Sequence, residues 1–138
     1  MIQVTVERVG LDNESDHAVL LLADLPKSTI LPIWVRTHEA SVIAFPLQDL
    51  TPPRPVTADL LVSCVEKLNA SVVMTILTEL KDEVFYASLV LEQGGKQIEL
   101  DCRPSDAIAV ALRASAPIYV ADSVMVEAGI PARDTEVQ

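Results

Sequence analysis

The chain has 138 residues, a length that fits one domain with its own hydrophobic core. Half of the residues are hydrophobic but only 4% are aromatic, so we expect an aliphatic core. The formal net charge is −10 and no basic run exists, which argues against tight, non-specific binding of nucleic acid over the average surface. No apolar run approaches the roughly 18 residues that a membrane span needs.

The beginning of the chain, "MIQVTVERVG", has alternating residues and Glu7 where a signal peptide would have a basic region and an apolar block. We therefore expect no signal peptide and a cytoplasmic location. The two cysteines, Cys64 and Cys102, provide neither a disulfide framework nor a metal-binding spacing. Both are expected to be reduced and buried as small hydrophobic residues.

The first third of the chain predicts strands. Residues 2–9 alternate between apolar and polar, which is typical of a half-buried strand. Residues 17–24 and 29–35 indicate two further strands joined by a hairpin-type connection. Pro32 is expected at a sheet edge or a bulge, because proline cannot donate a backbone hydrogen bond.

Two helices are predicted next. The first begins with Thr37 as its cap and ends or kinks near Pro46. The second covers 57–69 and begins with Thr57 as its cap. Its expected buried stripe consists of Leu60, Leu61, Cys64, Val65 and Leu68.

The second half predicts a strand block followed by shorter elements. Strands are expected at 71–80, 84–93 and 96–102, with turns at 81–83 and at Gly94-Gly95. After them come a helix that begins at Ser105, a strand at 117–121 and a closing helix from Asp122 that ends before Gly129.

The predicted order is β-β-β-α-α-β-β-β-α-β-α. This order indicates an α+β fold with a mixed, mainly antiparallel sheet and about four helices. We expect one domain over residues 1–129 and a flexible C-terminal tail over 130–138.

Two similar segments carry most of the candidate chemistry: "RPVTAD" at 54–59 and "RPSD" at 103–106. Each places an arginine before a helix N-terminus, where unpaired N–H groups favour an anion. Arg54 and Arg103 would bind a phosphate, while Asp59 and Asp106 would bind a divalent metal facing it. The alternative is structural: the hydroxyl residues cap, the aspartates complement the helix dipole, and each arginine pairs with its own aspartate.

Other catalytic motifs are missing. The four glycines form no phosphate-binding loop, and no nucleophile elbow or His/Cys metal pattern is present. His38 begins a helix beside Glu39, so it is a candidate general acid or base, or else an exposed first-turn residue. Glu39 would add a third carboxylate to the site.

These segments also carry a family likeness. The stretches "LPIWV…HEASVIA", "PPRPVTADLL", "FYASLVL" and "DCRPSDAIAVALRASAPIYV" together resemble the bifunctional nuclease domain family, over roughly residues 1–129. The family is a small bacterial and plant α+β domain, named for plant members credited with both RNase and DNase activity. The resemblance implies hydrolysis of phosphodiester bonds in RNA or DNA.

The family motifs transfer with two departures. "RPSDAIA" is intact from Arg103 to Ala109, but the histidine of the family's Thr-His-Asp segment is replaced by Ala58. The glycine after "LPIW-Ile" is replaced by Arg36. Without the histidine, a hydroxide on Mg²⁺ or Mn²⁺ held by Asp59, Asp106 or Glu39 is one route to cleavage, and His38 is a substitute acid–base group.

Two hypotheses follow. The first is a metal-assisted nuclease with Glu39, Asp59, Asp106 and His38 as catalytic residues and RNA or DNA as partner. The second is a non-catalytic binding or regulatory module that forms a homo-oligomer. Four arginines discriminate between them: their convergence in one pocket favours the nuclease, and separate pairing with carboxylates favours the module. They are Arg36, Arg54, Arg103 and Arg113.

Overall fold

The computed structural model of the chain describes residues 1–12 and 14–133, in which it has eight strands and four helices. In chain order they are β1 (Ile2–Leu11), β2 (His17–Asp24), β3 (Thr29–Arg36), α1 (Thr37–Leu47), α2 (Thr57–Lys67), β4 (Ser71–Lys81), β5 (Val84–Gln93), β6 (Lys96–Cys102), α3 (Pro104–Ala114), β7 (Ile118–Val120), α4 (Asp122–Ala128) and β8 (Ile130–Pro131).

All described strands belong to one sheet in the order β6-β5-β4-β7-β1-β2-β3-β8. Only β4 and β7 pair in parallel, and the other neighbours are antiparallel. The predicted α+β class, mixed sheet and element order are confirmed. Pro32 is compatible with its strand because β8 pairs with β3 only at Thr29 and Ile30, which leaves the outer edge of Pro32 unpaired.

The two hairpins of the strand block have turns with a left-handed backbone. Asp82 and Glu83 have φ of 52° and 64°, and Gly94 and Gly95 have φ of 59° and 83°. Two consecutive residues with positive φ are typical of the type I′ turn, whose twist matches that of antiparallel strands. The predicted hairpin positions are therefore confirmed.

Helices α1, α2 and α3 pack side by side on one face of the sheet. α3 contacts both α1 and α2 and also lies against β4 and β5. The sheet is strongly curved, because α4 contacts β3 and β4, which three other strands separate in the sheet. The main core lies between these layers and is aliphatic, as predicted. Its largest fully buried members are Leu20, Leu22, Leu31, Ile43, Leu77 and Ile108.

The predicted hydroxyl caps are wrong. Thr37 and Thr57 are the first residues of their helices and Ser105 is the second residue of α3; the caps are Arg36, Val56 and Arg103, and none has a side-chain cap bond. In α1 and α2 an acidic side chain at the third position accepts the backbone N–H of the cap instead. Glu39 Oε2 accepts from Arg36 N at 2.9 Å, and Asp59 Oδ2 accepts from Val56 N at 2.9 Å.

The predicted buried stripe of α2 is confirmed only at Val65 and is wrong at its other four residues. Only Val62 and Val65 of this helix are buried, because they lie on the face of α2 that packs against the sheet and against α3. Cys64 is exposed, contrary to expectation, and Cys102 is half-buried. The exposed apolar residues of α2 are Leu60, Leu61 and the neighbouring Leu68, which are 60%, 43% and 68% exposed.

The chain continues in regular structure past the end of α4. Ile130 and Pro131 form β8 against β3, which the sequence had assigned to the tail, while residues 134–138 lie outside the described part. Gly129 connects α4 to β8 because a Cβ there would lie 2.5 Å from the carbonyl oxygen of Met125. None of the helices in the described ranges is both long and apolar enough to cross a membrane.

Candidate functional site

Three helices begin around one cavity of about 550 Å³, which we call the groove. The second residue of each helix lines it: His38 in α1, Ala58 in α2 and Ser105 in α3. Helices α1 and α3 begin here because each follows directly from a strand, β3 or β6. The remaining walls are mostly apolar and include Val42, Leu61, Leu89, Leu100, Cys102, Ala109 and Val110.

Arg103 connects two of the three helix N-termini. Its Nε and Nη2 donate to the two carboxylate oxygens of Asp106 at 2.7 and 3.1 Å, which is a bidentate pair. Its Nη1 donates to Oε1 of Glu39 at 2.8 Å, across a separation of 64 residues. These hydrogen bonds and charges raise the pKa of Arg103, Asp106 contributing most, so the guanidinium is fully charged.

The three members of this network differ in exposure. The side chain of Glu39 is only 11% exposed, whereas those of Arg103 and Asp106 are 65% and 52% exposed. Both Glu39 oxygens are used within the protein, one by Arg103 and one by the N–H of Arg36. Glu39 is therefore a fixed anchor, and Arg103 is the charge that a ligand reaches from solvent.

Asp59 lies in a different environment from its counterpart Asp106. It lines a second cavity of about 600 Å³ together with Arg113, and not the groove. Its Oδ1 accepts from Arg113 Nε at 2.8 Å and its Oδ2 from Val56 N. The hydrogen bond from Val56 is the largest effect that lowers the pKa of Asp59, and Arg113 adds to it. Asp59 is thus an ionised, fully engaged carboxylate.

The structure brings together four of the six predicted site residues, namely His38, Glu39, Arg103 and Asp106, all of which line the groove. Asp59 lines the second cavity. Arg54 is exposed and lines neither; within residues 1–12 and 14–133 its guanidinium forms no hydrogen bond or ion pair. The two Arg-Pro segments therefore do not form two halves of one site.

The predicted Mg²⁺ or Mn²⁺ pair of Asp59 and Asp106 does not match this donor set. The described residues contain no group of three or more His, Cys, Asp or Glu side chains that could hold a metal ion. Both oxygens of Asp59 are engaged inside the fold, and both oxygens of Asp106 bind Arg103. The carboxylates as arranged do not fit a divalent cation.

Three of the four discriminating arginines are paired with carboxylates in separate places. Arg113 binds Asp59, Arg103 binds Glu39 and Asp106, and Arg36 lies 3.6 Å from Asp16. One pocket that collects all four arginines is not formed by the described residues. The groove is thus lined by a single arginine and by three carboxylates, those of Glu39, Asp101 and Asp106, and its charge balance differs from that of a basic phosphate pocket.

Sequence reasoning missed the function of Arg113 and the apolar wall of the groove. Arg113 stands out in the sequence as the charged residue that ends the apolar run of α3, "AIAVALRA". Leu100 and Cys102 belong to the inward positions of β6, but alternation alone does not show that a cavity lies beside them. Burial raises the pKa of the Cys102 thiol, and the negative charges of Asp106 and Asp101 raise it further.

Comparison with known proteins decides the family. The family model described as "Bifunctional nuclease domain" matches residues 20–133, which include every element from β2 to β8 apart from the first residues of β2. The chain belongs to the bifunctional nuclease domain family. The groove of this family member therefore lies entirely within the matched region.

Relatives occur in bacteria and plants. An uncharacterized protein of Mycobacterium tuberculosis is 35% identical over 130 residues, which are 94% of this chain and 77% of the relative. Bifunctional nuclease 1 of Oryza sativa subsp. japonica is 30% identical over 112 residues, or 79% of this chain and 34% of the rice protein. Bifunctional nuclease 2 of Arabidopsis thaliana is 28% identical, with 80% and 35% covered. The chain thus corresponds to about a third of each plant protein.

Proposed function

We propose that this chain is a nuclease whose active site is the groove, and that RNA is its better substrate. The observation that carries the proposal is the convergence of His38, Glu39, Arg103 and Asp106 on one cavity of a bifunctional nuclease domain. Both plant relatives described above are named bifunctional nucleases, which supports phosphodiester bonds as the target.

Arg103 is the proposed phosphate contact. Its side chain is 65% exposed, and its guanidinium is fully charged and flanked by the N-termini of α1 and α3, whose unpaired N–H groups add positive potential. Asp106 fixes the orientation of the guanidinium through the bidentate pair. An incoming phosphate would bind the same guanidinium as Asp106. Negative charge increases on the phosphorus-bound oxygens in the pentavalent transition state. An arginine that contacts these oxygens therefore stabilises the transition state more than the ground state.

His38 is the proposed general base. In RNA the neighbouring 2′-hydroxyl serves as nucleophile: its proton moves to His38, the O2′–P bond forms, the P–O5′ bond breaks, and the 5′-oxygen takes a proton from water. This chemistry needs one base and one anion-stabilising group, which is what the groove provides. DNA lacks the internal nucleophile, so a bound water must be activated and cleavage is slower.

The proposal is tested with two matched oligonucleotides that differ only in the 2′-hydroxyl at one position. Highly purified protein is incubated with each of them, in EDTA and separately in Mg²⁺ and Mn²⁺. We expect cleavage of the strand that has the 2′-hydroxyl, and its loss in His38→Ala. Equal cleavage of both strands only in metal would overturn the proposed mechanism, and no cleavage of either would overturn the nuclease function.

A second candidate function is a non-catalytic, homo-oligomeric binding module. It is supported by the pairing of Arg36, Arg103 and Arg113 with carboxylates and by apolar side chains on the unpaired edge strand β6. On that strand Ile98 and Leu100 are 38% and 44% exposed. Sedimentation equilibrium tests the assembly: a dimer or larger species that persists at low concentration supports it, and a monomer at all concentrations excludes it.

We further propose that the chain acts in the cytoplasm. Both cysteines are free and Cys64 is exposed, which suits a reducing compartment. Localisation of a fluorescent fusion in living cells tests this, and a signal confined to the cell envelope would contradict it.

A further inference from the structure

The chain has one tryptophan, and the structure leaves it largely in water. Trp34 is 63% exposed, although tryptophan is highly buried on average in folded proteins. The cause is the alternation of β3: Ile33 and Val35 point into the main core, so Trp34 points away from it. Nothing in the core explains why this position has so large an aromatic side chain.

Trp34 lines a small cavity of about 270 Å³ that adjoins the groove. The two cavities share Glu39, Arg103 and Ser105, so Arg103 lines both of them. The other lining residues of the small cavity are Ile33, Val35, Glu83, Val84, Phe85 and Pro104. Trp34 and Arg103, the proposed phosphate contact, therefore line the same small cavity.

A second arginine lies on the same side of the strand as Trp34. Arg36 is two residues further along β3, so both residues point to the same face of the sheet. Its side chain is 59% exposed, and its contact with Asp16 at 3.6 Å is a loose, exposed ion pair that a ligand can displace at little cost. Trp34 thus shares a strand face with Arg36 and a cavity with Arg103, and Glu39 and Glu83 line the same cavity.

We propose that Trp34 is a stacking platform for one unpaired nucleobase next to the phosphate at Arg103, which makes single-stranded nucleic acid the substrate class. Aromatic side chains interleaved with cations are the usual way in which proteins hold single strands, because every base offers a π face. This inference rests on the proposed function, since it places the base beside the proposed scissile phosphate.

The geometry favours a single strand over a duplex. A base inside a duplex is stacked on both faces and paired at its edge, so it must leave the helix before it reaches Trp34, which costs free energy. A protein with a net charge of −10 also has little general attraction for the dense charge of a duplex. Local stacking and two arginines suit one or two nucleotides of a flexible strand.

Intrinsic fluorescence tests the platform directly, because Trp34 is the single tryptophan of the chain. The full chain is titrated at low salt, in EDTA, with a short single-stranded oligonucleotide and with the duplex of the same sequence. We expect quenching of tryptophan emission by the single strand and a much weaker response to the duplex. Unchanged emission with the single strand, or equal quenching by both, overturns the proposal.

Variants then link the signal to affinity, measured as anisotropy of a labelled single strand. Trp34→Ala is expected to weaken binding by roughly 5- to 150-fold, and Trp34→Phe to retain part of it. Leu25→Ala is the matched control, since Leu25 is 58% exposed and lines neither cavity. Equal affinity of Trp34→Ala and the wild type overturns the platform.

The two proposals can fail separately. Quenching and loss of affinity in Trp34→Ala without any strand cleavage retain the platform and remove the nuclease function. If cleavage is lost in His38→Ala but Trp34→Ala cleaves and binds like the wild type, the nuclease function stands and the stacking platform is overturned.

Discussion

Arg113 on α3 donates from Nε to Oδ1 of Asp59 on α2 at 2.8 Å, and this ion pair fastens two of the three helices that form the groove. The same guanidinium donates to the carbonyl oxygens of Ala109 in its own helix and Val42 in α1. One side chain, 8% exposed, thereby joins all three helices. Asp59 is accordingly part of the scaffold of the groove and not of its lining.

Removing Arg113 should destabilise the whole fold. Arg113→Met leaves Asp59 without its cation and removes the side-chain donor from the carbonyl oxygens of Ala109 and Val42, and we expect a loss of about 3 kcal/mol in the free energy of unfolding. Urea denaturation measures this. Arg36→Met is the control: its ion pair with Asp16 is exposed, so its loss should cost less than about 1 kcal/mol. Equal stability of both variants would contradict the scaffold role.

The stability that Asp59 contributes should depend on pH in a defined direction. Its pKa in the folded chain lies below its ordinary value of 3.8, chiefly because of the hydrogen bond from Val56 and then because of Arg113. A lowered pKa stabilises the fold at pH above the unfolded value, and this contribution is lost as the pH falls through the folded value. The difference between wild type and Asp59→Asn in urea denaturation should therefore be full at neutral pH and shrink below about pH 3.8. A difference that grows on acidification would contradict this account.

A histidine introduced at position 58 should increase the rate of RNA cleavage. It occupies the second position of α2, as His38 does in α1, and both line the groove. Ala58→His would put a second acid–base group into the groove that Arg103 lines, and we expect cleavage of RNA to rise by at least about tenfold, since such groups contribute roughly 10²- to 10⁴-fold. Ser63→His is the control on the same helix, because Ser63 lines the second cavity. An equal effect of both substitutions would show that position 58 has no special access to substrate.

The strands could be predicted from the sequence because each signal is local. The alternation of apolar and polar residues predicts which side chains of β1 and β6 lie on each face of the sheet. Two residues with turn propensity, such as Gly94-Gly95, set the register of a hairpin. The strand β8 was missed because two residues, Ile130 and Pro131, carry no periodicity. Its existence depends on pairing with β3, which is a tertiary contact.

The errors at the helix starts have one physical cause. A hydroxyl residue followed closely by an acidic residue is compatible with a helix that has the hydroxyl residue as its N-cap. The same sequence is also compatible with a helix that begins one residue earlier, in which the carboxylate accepts the backbone N–H of the N-cap residue. Glu39 and Asp59 take that second arrangement, and Arg36 and Val56 become the caps. Asp106 has the same third position in α3 but binds the side chain of Arg103 instead, because Pro104 and Glu39 fix that arginine at the corner.

The candidate site was predictable only in part for a related reason. The segments at 54–59 and 103–106 have similar sequences and therefore look equivalent. The local sequence pattern could not show that Asp59 pairs with Arg113. The juxtaposition of Glu39 with Arg103, 64 residues apart, likewise depends on where β3 and β6 end in the curved sheet.

The central claim is that the groove, and not the second cavity, is the site of phosphodiester cleavage. The most direct measurement is the single-turnover rate of RNA cleavage by Arg103→Ala and Asp59→Asn, with circular dichroism confirming that each is folded at the assay temperature. We expect a loss of about 10²- to 10³-fold for Arg103→Ala, since it removes the transition-state charge contact, and little change for folded Asp59→Asn. Cleavage at the wild-type rate by Arg103→Ala, together with loss of cleavage in Asp59→Asn, would contradict the claim.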